Sequence, residues 1–96
     1  MEEIEQIKKI INEINGRITK DYQKMDIEEI SKELRNTMNF EQDTFKKIEE
    51  LEKKGIKTEL TKYAKMICRN TTEREISEIQ EEYLKKIDKK YLRFKN

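Results

Sequence analysis

The chain predicts an all-α fold: a compact bundle of about five helices, with the first and last the longest. Three observations carry this expectation. Apolar residues recur at steps of three and four along almost the whole length, the spacing of one helix face. The 96 residues contain no proline and only two glycines, so little interrupts a helix. Valine is absent and no stretch alternates at the two-residue period of a half-buried strand. Charged residues reach 45% and hydrophobic ones 33%, close to disordered compositions. The strict spacing of the apolar minority is what argues for a folded chain. At this length one domain with a small core follows, burying roughly 60–65% of the unfolded surface.

The first helix is expected over residues 2–24. Ile4, Ile7, Ile11, Ile14 and Ile18 form a coiled-coil-like seam, Met25 resumes it after a break, and Ile10 widens the apolar face. Glu2, Glu3 and Glu5 suit the positive end of the helix dipole. Asn15-Gly16 lies in phase with the stripe, so a kink or weak point is expected there, costing about 1 kcal/mol relative to alanine. Such a helix serves equally well as a homodimer seam or as a core helix of one chain. Asp21 replaces the next seam residue, and the pattern weakens before a new helix begins.

Helices over 26–38 and 40–54 come next. Asp26 and Glu29 have the spacing of a capping box, in which side chains accept from first-turn amides. Ile27, Ile30, Leu34 and Met38 make the first stripe. Asn39 and Gln42 repeat the cap pattern, and Phe45, Ile48 and Leu51 make the second. At Lys53-Lys54-Gly55-Ile56 the glycine can take the left-handed conformation that stops a helix, while Ile56 folds back onto the last turn.

The segments Ile27-Glu-Glu-Ile-Ser-Lys-Glu-Leu34 and Phe45-Lys-Lys-Ile-Glu-Glu-Leu-Glu-Lys-Lys-Gly-Ile56 resemble the helix-turn-helix of winged-helix bacterial regulators. The resemblance implies a supporting helix, a turn around Arg35–Asn39, and a second helix in the DNA major groove, with Thr44, Lys46 and Lys47 as the reading residues. The same stretch also reads as an ordinary helical hairpin. It carries nine acidic and six basic side chains, a net charge of −3, which repels phosphates.

The last two helices are expected over 58–69 and 72–94. Leu60, Tyr63, Ala64 and Ile67 share a face in the first, and Ile76, Ile79, Tyr83, Ile87 and Tyr91 in the second. Asn70-Thr71-Thr72 reads as the loop between them, with Thr72 and Glu75 as another capping box. The expected core is Ile7, Ile11, Ile14, Ile30, Leu34, Phe45, Ile48, Leu51, Leu60, Ile67, Ile76, Ile79, Tyr83 and Ile87. Residues 57–96 hold seven acidic and eleven basic side chains, net +4. The terminal Lys85, Lys86, Lys89, Lys90, Arg93 and Lys95, interleaved with Tyr91 and Phe94, form the candidate contact surface for a partner or nucleic acid. Lysines at a helix carboxyl end also complement its dipole.

The chain has no histidine and a single cysteine, Cys68, which is expected as a buried structural thiol. Acid–base and nucleophilic constellations are therefore unavailable, no metal ligand set or glycine-rich phosphate loop is seen, and an enzyme or cofactor protein is not expected. No apolar run is long enough to span a membrane, which makes cytoplasmic residence the expectation. The general character resembles small accessory and inhibitor proteins of phages and mobile elements, anti-CRISPR proteins among them. That resemblance implies a non-catalytic protein that binds and regulates or inhibits a protein partner. The alternative is a helix-turn-helix DNA-binding transcriptional regulator. In length the chain also resembles secreted helical hairpins of the WXG100 type, but these need two long helices where five are counted.

Overall fold

The computed structural model describes residues 2–17, 20–56 and 59–92, with side chains through Lys89. Among them no strand occurs, and the all-helical expectation holds. The expected five helices are three: α1 (Glu2–Asn15), α2 (Ile27–Lys53) and α3 (Glu59–Leu92), with one 3₁₀ turn at Tyr22–Lys24. Antiparallel α2 and α3 form a long hairpin. α1 lies against the carboxyl half of α2 and the amino half of α3, and the 3₁₀ turn covers the opposite end of the same face. The bundle is elongated, not compact. Its extents are 63 × 20 × 18 Å and its radius of gyration 17.2 Å, against about 12–13 Å for a compact chain of this length. The long axis follows from α3, whose 34 residues span roughly 50 Å at the helical rise.

Helices 26–38 and 40–54 are one because the seam of α2 never lapses. Ile30, Leu34, Thr37, Glu41, Thr44, Ile48 and Leu51 alternate steps of four and three over three heptads. Ile30, Thr37, Thr44, Ile48 and Leu51 are buried. The middle of this seam is polar, so a reading of apolar periodicity sees two stripes and a gap. Asn39 and Gln42, expected to cap a new helix, are exposed inside an existing one.

The same reason joins the expected helices 58–69 and 72–94. The side of α3 that enters the core is Thr61, Ala64, Cys68, Thr72, Glu75 and Ile79, all buried. Thr72 is no cap residue. Its hydroxyl lies 2.8 Å from the Cys68 carbonyl one turn back, the bond by which threonine satisfies itself within a helix. Leu60, Ile67, Ile76, Tyr83 and Ile87 flank the stripe and are half-buried, while Tyr63 is 44% exposed. Met38, placed by spacing on the α2 stripe, is 47% exposed.

The first helix is shorter than expected, because Gly16 ends it and does not merely kink it. The Gly16 amide still donates to the Asn12 carbonyl at 2.8 Å, but Arg17 makes only a tighter bond to Ile14, and the chain leaves the helix path. Ile18 lies outside the described residues. The glycine stop holds as read, and of the capping box the Asp26 half is formed. Asp26 caps α2, its carboxylate accepting from the Glu29 amide at 2.8 Å. Gly55, at φ 96°, closes α2 through bonds from the Gly55 amide to Glu52 and from the Ile56 amide to Leu51, the paired arrangement that satisfies the final carbonyls.

The core has two apolar clusters. One joins Ile7, Ile10, Ile14, Ile48, Leu51, Ala64 and Cys68, with Ile11, Phe45, Leu60 and Ile67 packed around it. The other joins Tyr22, Ile30 and Ile79, flanked by Met25, Leu34 and Tyr83. Between them sits a polar belt of Arg17, Thr37, Glu41, Thr72 and Glu75.

Candidate protein-binding surface

The belt is built from three separate elements. Arg17, just beyond α1, sends its guanidinium to Glu75 of α3, with Nε–Oε1 at 2.8 Å and Nη2–Oε2 at 2.6 Å. The same guanidinium lies 4.0 Å from the centre of the Phe40 ring on α2, within cation–π range. The hydrogen bond to Glu75 raises the Arg17 pKa above its ordinary value, against the opposing effect of burial. Thr72 Oγ1 reaches Glu41 Oε2 at 2.5 Å. Its one hydroxyl proton serves that carboxylate or the Cys68 carbonyl, not both at once. Within the belt Arg17 pairs with Glu75 and Thr72 with Glu41, between the two apolar clusters. Sequence reasoning missed them because Arg17 and Glu75 stand 58 positions apart.

Residues expected to touch a partner are placed unevenly. Lys85 is exposed and stands near Glu81 and Glu82, at 3.6 and 3.5 Å. Lys86 is half-buried and donates to the Gln23 carbonyl at 3.0 Å, tying α3 to the 3₁₀ turn. Lys89 is exposed and lines a shallow cavity with Lys85, Lys86, Glu82 and Asp88. The side chains of Lys90 and Tyr91, and all of Arg93, Phe94 and Lys95, lie outside the described residues. Part of the basic end is thus engaged with neighbouring carboxylates and backbone.

The three DNA-reading candidates do not share a surface. Thr44 is buried at 6% exposure, beneath the hairpin, whereas Lys46 and Lys47 are exposed. No turn separates a supporting helix from a reading helix, since α2 is continuous from Ile27 to Lys53. α1 likewise spends its seam inside the chain: Ile7, Ile10 and Ile14 are buried against α2 and α3.

Among the described residues, one face of the hairpin is covered by no other element. α1 and the 3₁₀ turn cover the front; on the back, Ile30, Ser31, Leu34, Arg35, Met38 and Tyr83 line a groove between α2 and α3. Elsewhere on the hairpin the Arg69 guanidinium lies 5.5 Å from the Phe45 ring. Of the large apolar side chains exposed in the described structure, Met38 lies in this groove and Leu84, 60% exposed, on its edge.

Cys68 is fully buried, and burial together with the Glu41 carboxylate pushes its thiol up to about 11. It is therefore protonated and inaccessible at neutral pH. No helix among the described residues is long and apolar enough to cross a membrane. Comparison with models of known protein families, with curated proteins and with solved structures finds no match for this chain.

Proposed function

We propose that this chain is a non-catalytic helical protein that binds and regulates or inhibits a protein partner, in the manner of a small phage-type inhibitor. The observation that carries this reading is the open back of the α2–α3 hairpin, where Leu34, Met38 and Tyr83 line a groove that α1 does not cover. A groove lined by apolar side chains one helical turn apart, Leu34 and Met38, with Tyr83 across from them, suits a protein surface or a partner helix. Nothing in the arrangement favours the DNA-reading alternative. Thr44 points into the core, and a reading helix would need the turn that α2 lacks.

The test is affinity capture from the native host with wild-type chain and with Met38→Glu, identifying the eluate by mass spectrometry. The expected outcome is a partner retained by wild type and lost by the variant, with identical circular dichroism. Equal capture by both would overturn this reading of the face.

A further inference from the structure

We infer that the open face of the hairpin is self-complementary, and that its occupant in the absence of another partner is a second copy of this chain, packed antiparallel about a two-fold axis. The inference takes up the proposed binding face and names what covers it. Three independent features of the surface carry it.

The first is spacing. On α2 the face is formed by Ile27, Ser31, Leu34 and Met38, separated by four, three and four residues. On α3 the matching side is Ile76, Gln80, Tyr83 and Ile87, again four, three and four. Such a row reads the same in both directions, so an antiparallel copy meets it in layers: Ile27 with Met38 of the second copy, Ser31 with Leu34, Ile76 with Ile87, and Gln80 with Tyr83. Each contact occurs twice, as a two-fold interface requires.

The second is level. A single axis can serve both helices only if the midpoints of the two rows lie side by side. The Thr72–Glu41 bond fixes the register of the hairpin. Counting nine residues back along α2 and nine forward along α3 brings 32 opposite 81. The midpoint of Ile27 and Met38 falls between 32 and 33, and that of Ile76 and Ile87 between 81 and 82. In this antiparallel register the two rows are therefore centred within one residue, about 1.5 Å, of one height.

The third is charge. Glu28 and Arg35 are exposed, two helical turns apart on the outer edge of the α2 row, and neither joins an ion pair among the described residues. In an antiparallel pair the edge of one helix runs along the same edge of the other. Glu28 then meets Arg35 of the second copy, and Arg35 meets its Glu28. On α3 the equivalent edge positions are Ser77 and Leu84, so the exposed Leu84 covers a small residue. The first-helix route to a dimer has no such opening, because its seam is already occupied within the chain.

The test is sedimentation and light scattering over a wide range of protein concentration, using charge reversals on exposed positions that leave the helix intact. Wild type should show a monomer–dimer equilibrium. Glu28→Lys and Arg35→Glu should each weaken it roughly tenfold, since both reciprocal contacts become repulsive. An equimolar mixture of the two variants should recover association. In the mixed dimer the lysine introduced into one chain faces the glutamate introduced into the other, and the unaltered Arg35 faces the unaltered Glu28. A wild-type chain that stays monomeric throughout, a dimer indifferent to the single reversals, or a mixture no stronger than its components would each overturn the inference. Charge recovery without any captured partner would sink the proposed function alone. Capture that is lost in Met38→Glu while wild type stays monomeric would sink the self-pairing alone.

Discussion

Arg17 and Glu75 form a two-pronged ion pair across 58 positions of sequence, with the guanidinium lying on Phe40 of the intervening helix. The pair ties the segment just beyond the end of α1 to α3. The side chains are 24% and 11% exposed, between the surface case and the fully buried one. Removing either partner should therefore cost about 1–3 kcal/mol. Denaturant unfolding of Arg17→Ala, Glu75→Ala and the double variant gives the coupling. Additive losses would show that the pair does not act as a unit.

The apolar end of the bundle responds differently. Leu51 is 4% exposed within the cluster that unites all three helices, so Leu51→Ala should cost about 2–5 kcal/mol through lost burial and a residual cavity. A change within about 0.5 kcal/mol would mean that the site collapses freely.

Thr37 offers the opposite sign. It is 1% exposed, and its hydroxyl has no hydrogen-bond partner among the described residues. Valine has the same shape without the stranded hydroxyl, so Thr37→Val should stabilise the chain by about 1 kcal/mol. Thermal unfolding should show a higher midpoint. A lowered one would indicate that the hydroxyl is satisfied in solution, for instance by bound water.

Cys68 gives a pH signature. Its thiol is raised from 9.0 to about 11 in the folded chain, first by burial and then by Glu41. Between those values the unfolded chain releases the proton and the folded one keeps it, so stability falls as pH rises through that window and is unaffected below it. Two pKa units correspond to a loss on the order of 2–3 kcal/mol. Cys68→Ala should be less stable at pH 7 yet lose less between pH 9 and 11. An identical alkaline slope in both proteins would remove the thiol as its cause.

Any affinity for nucleic acid should reside in the basic end of α3. Removing residues 85–96 should abolish it, and in the intact chain it should fall steeply with salt and ignore base sequence. Fluorescence anisotropy with random and selected duplexes checks this. A thousandfold preference for one duplex at physiological salt, erased by changing Lys46 and Lys47, would restore the DNA-reading alternative.

The sequence by itself determined the helical class, the cap at Asp26, the glycine stop at Gly55 and the buried stripe of Ile7 and Ile14. All of these depend on neighbours within one or two turns, where residue type and spacing carry the physics directly. The back-face anchors Leu34 and Tyr83 were legible too, but only as core. That α1 would cover one face of the hairpin and leave the other open depends on where Gly16 releases the chain. The number of helices was decided only in three dimensions. Helix runs on through Thr37–Thr44 and Cys68–Glu75 because polar residues in those seams turn into the bundle, and some find partners on another element: Thr72 with Glu41, Glu75 with Arg17. Apolar periodicity registers a polar seam residue as a gap. Only its distant partner makes burial there favourable, and that partner is not a neighbour in sequence.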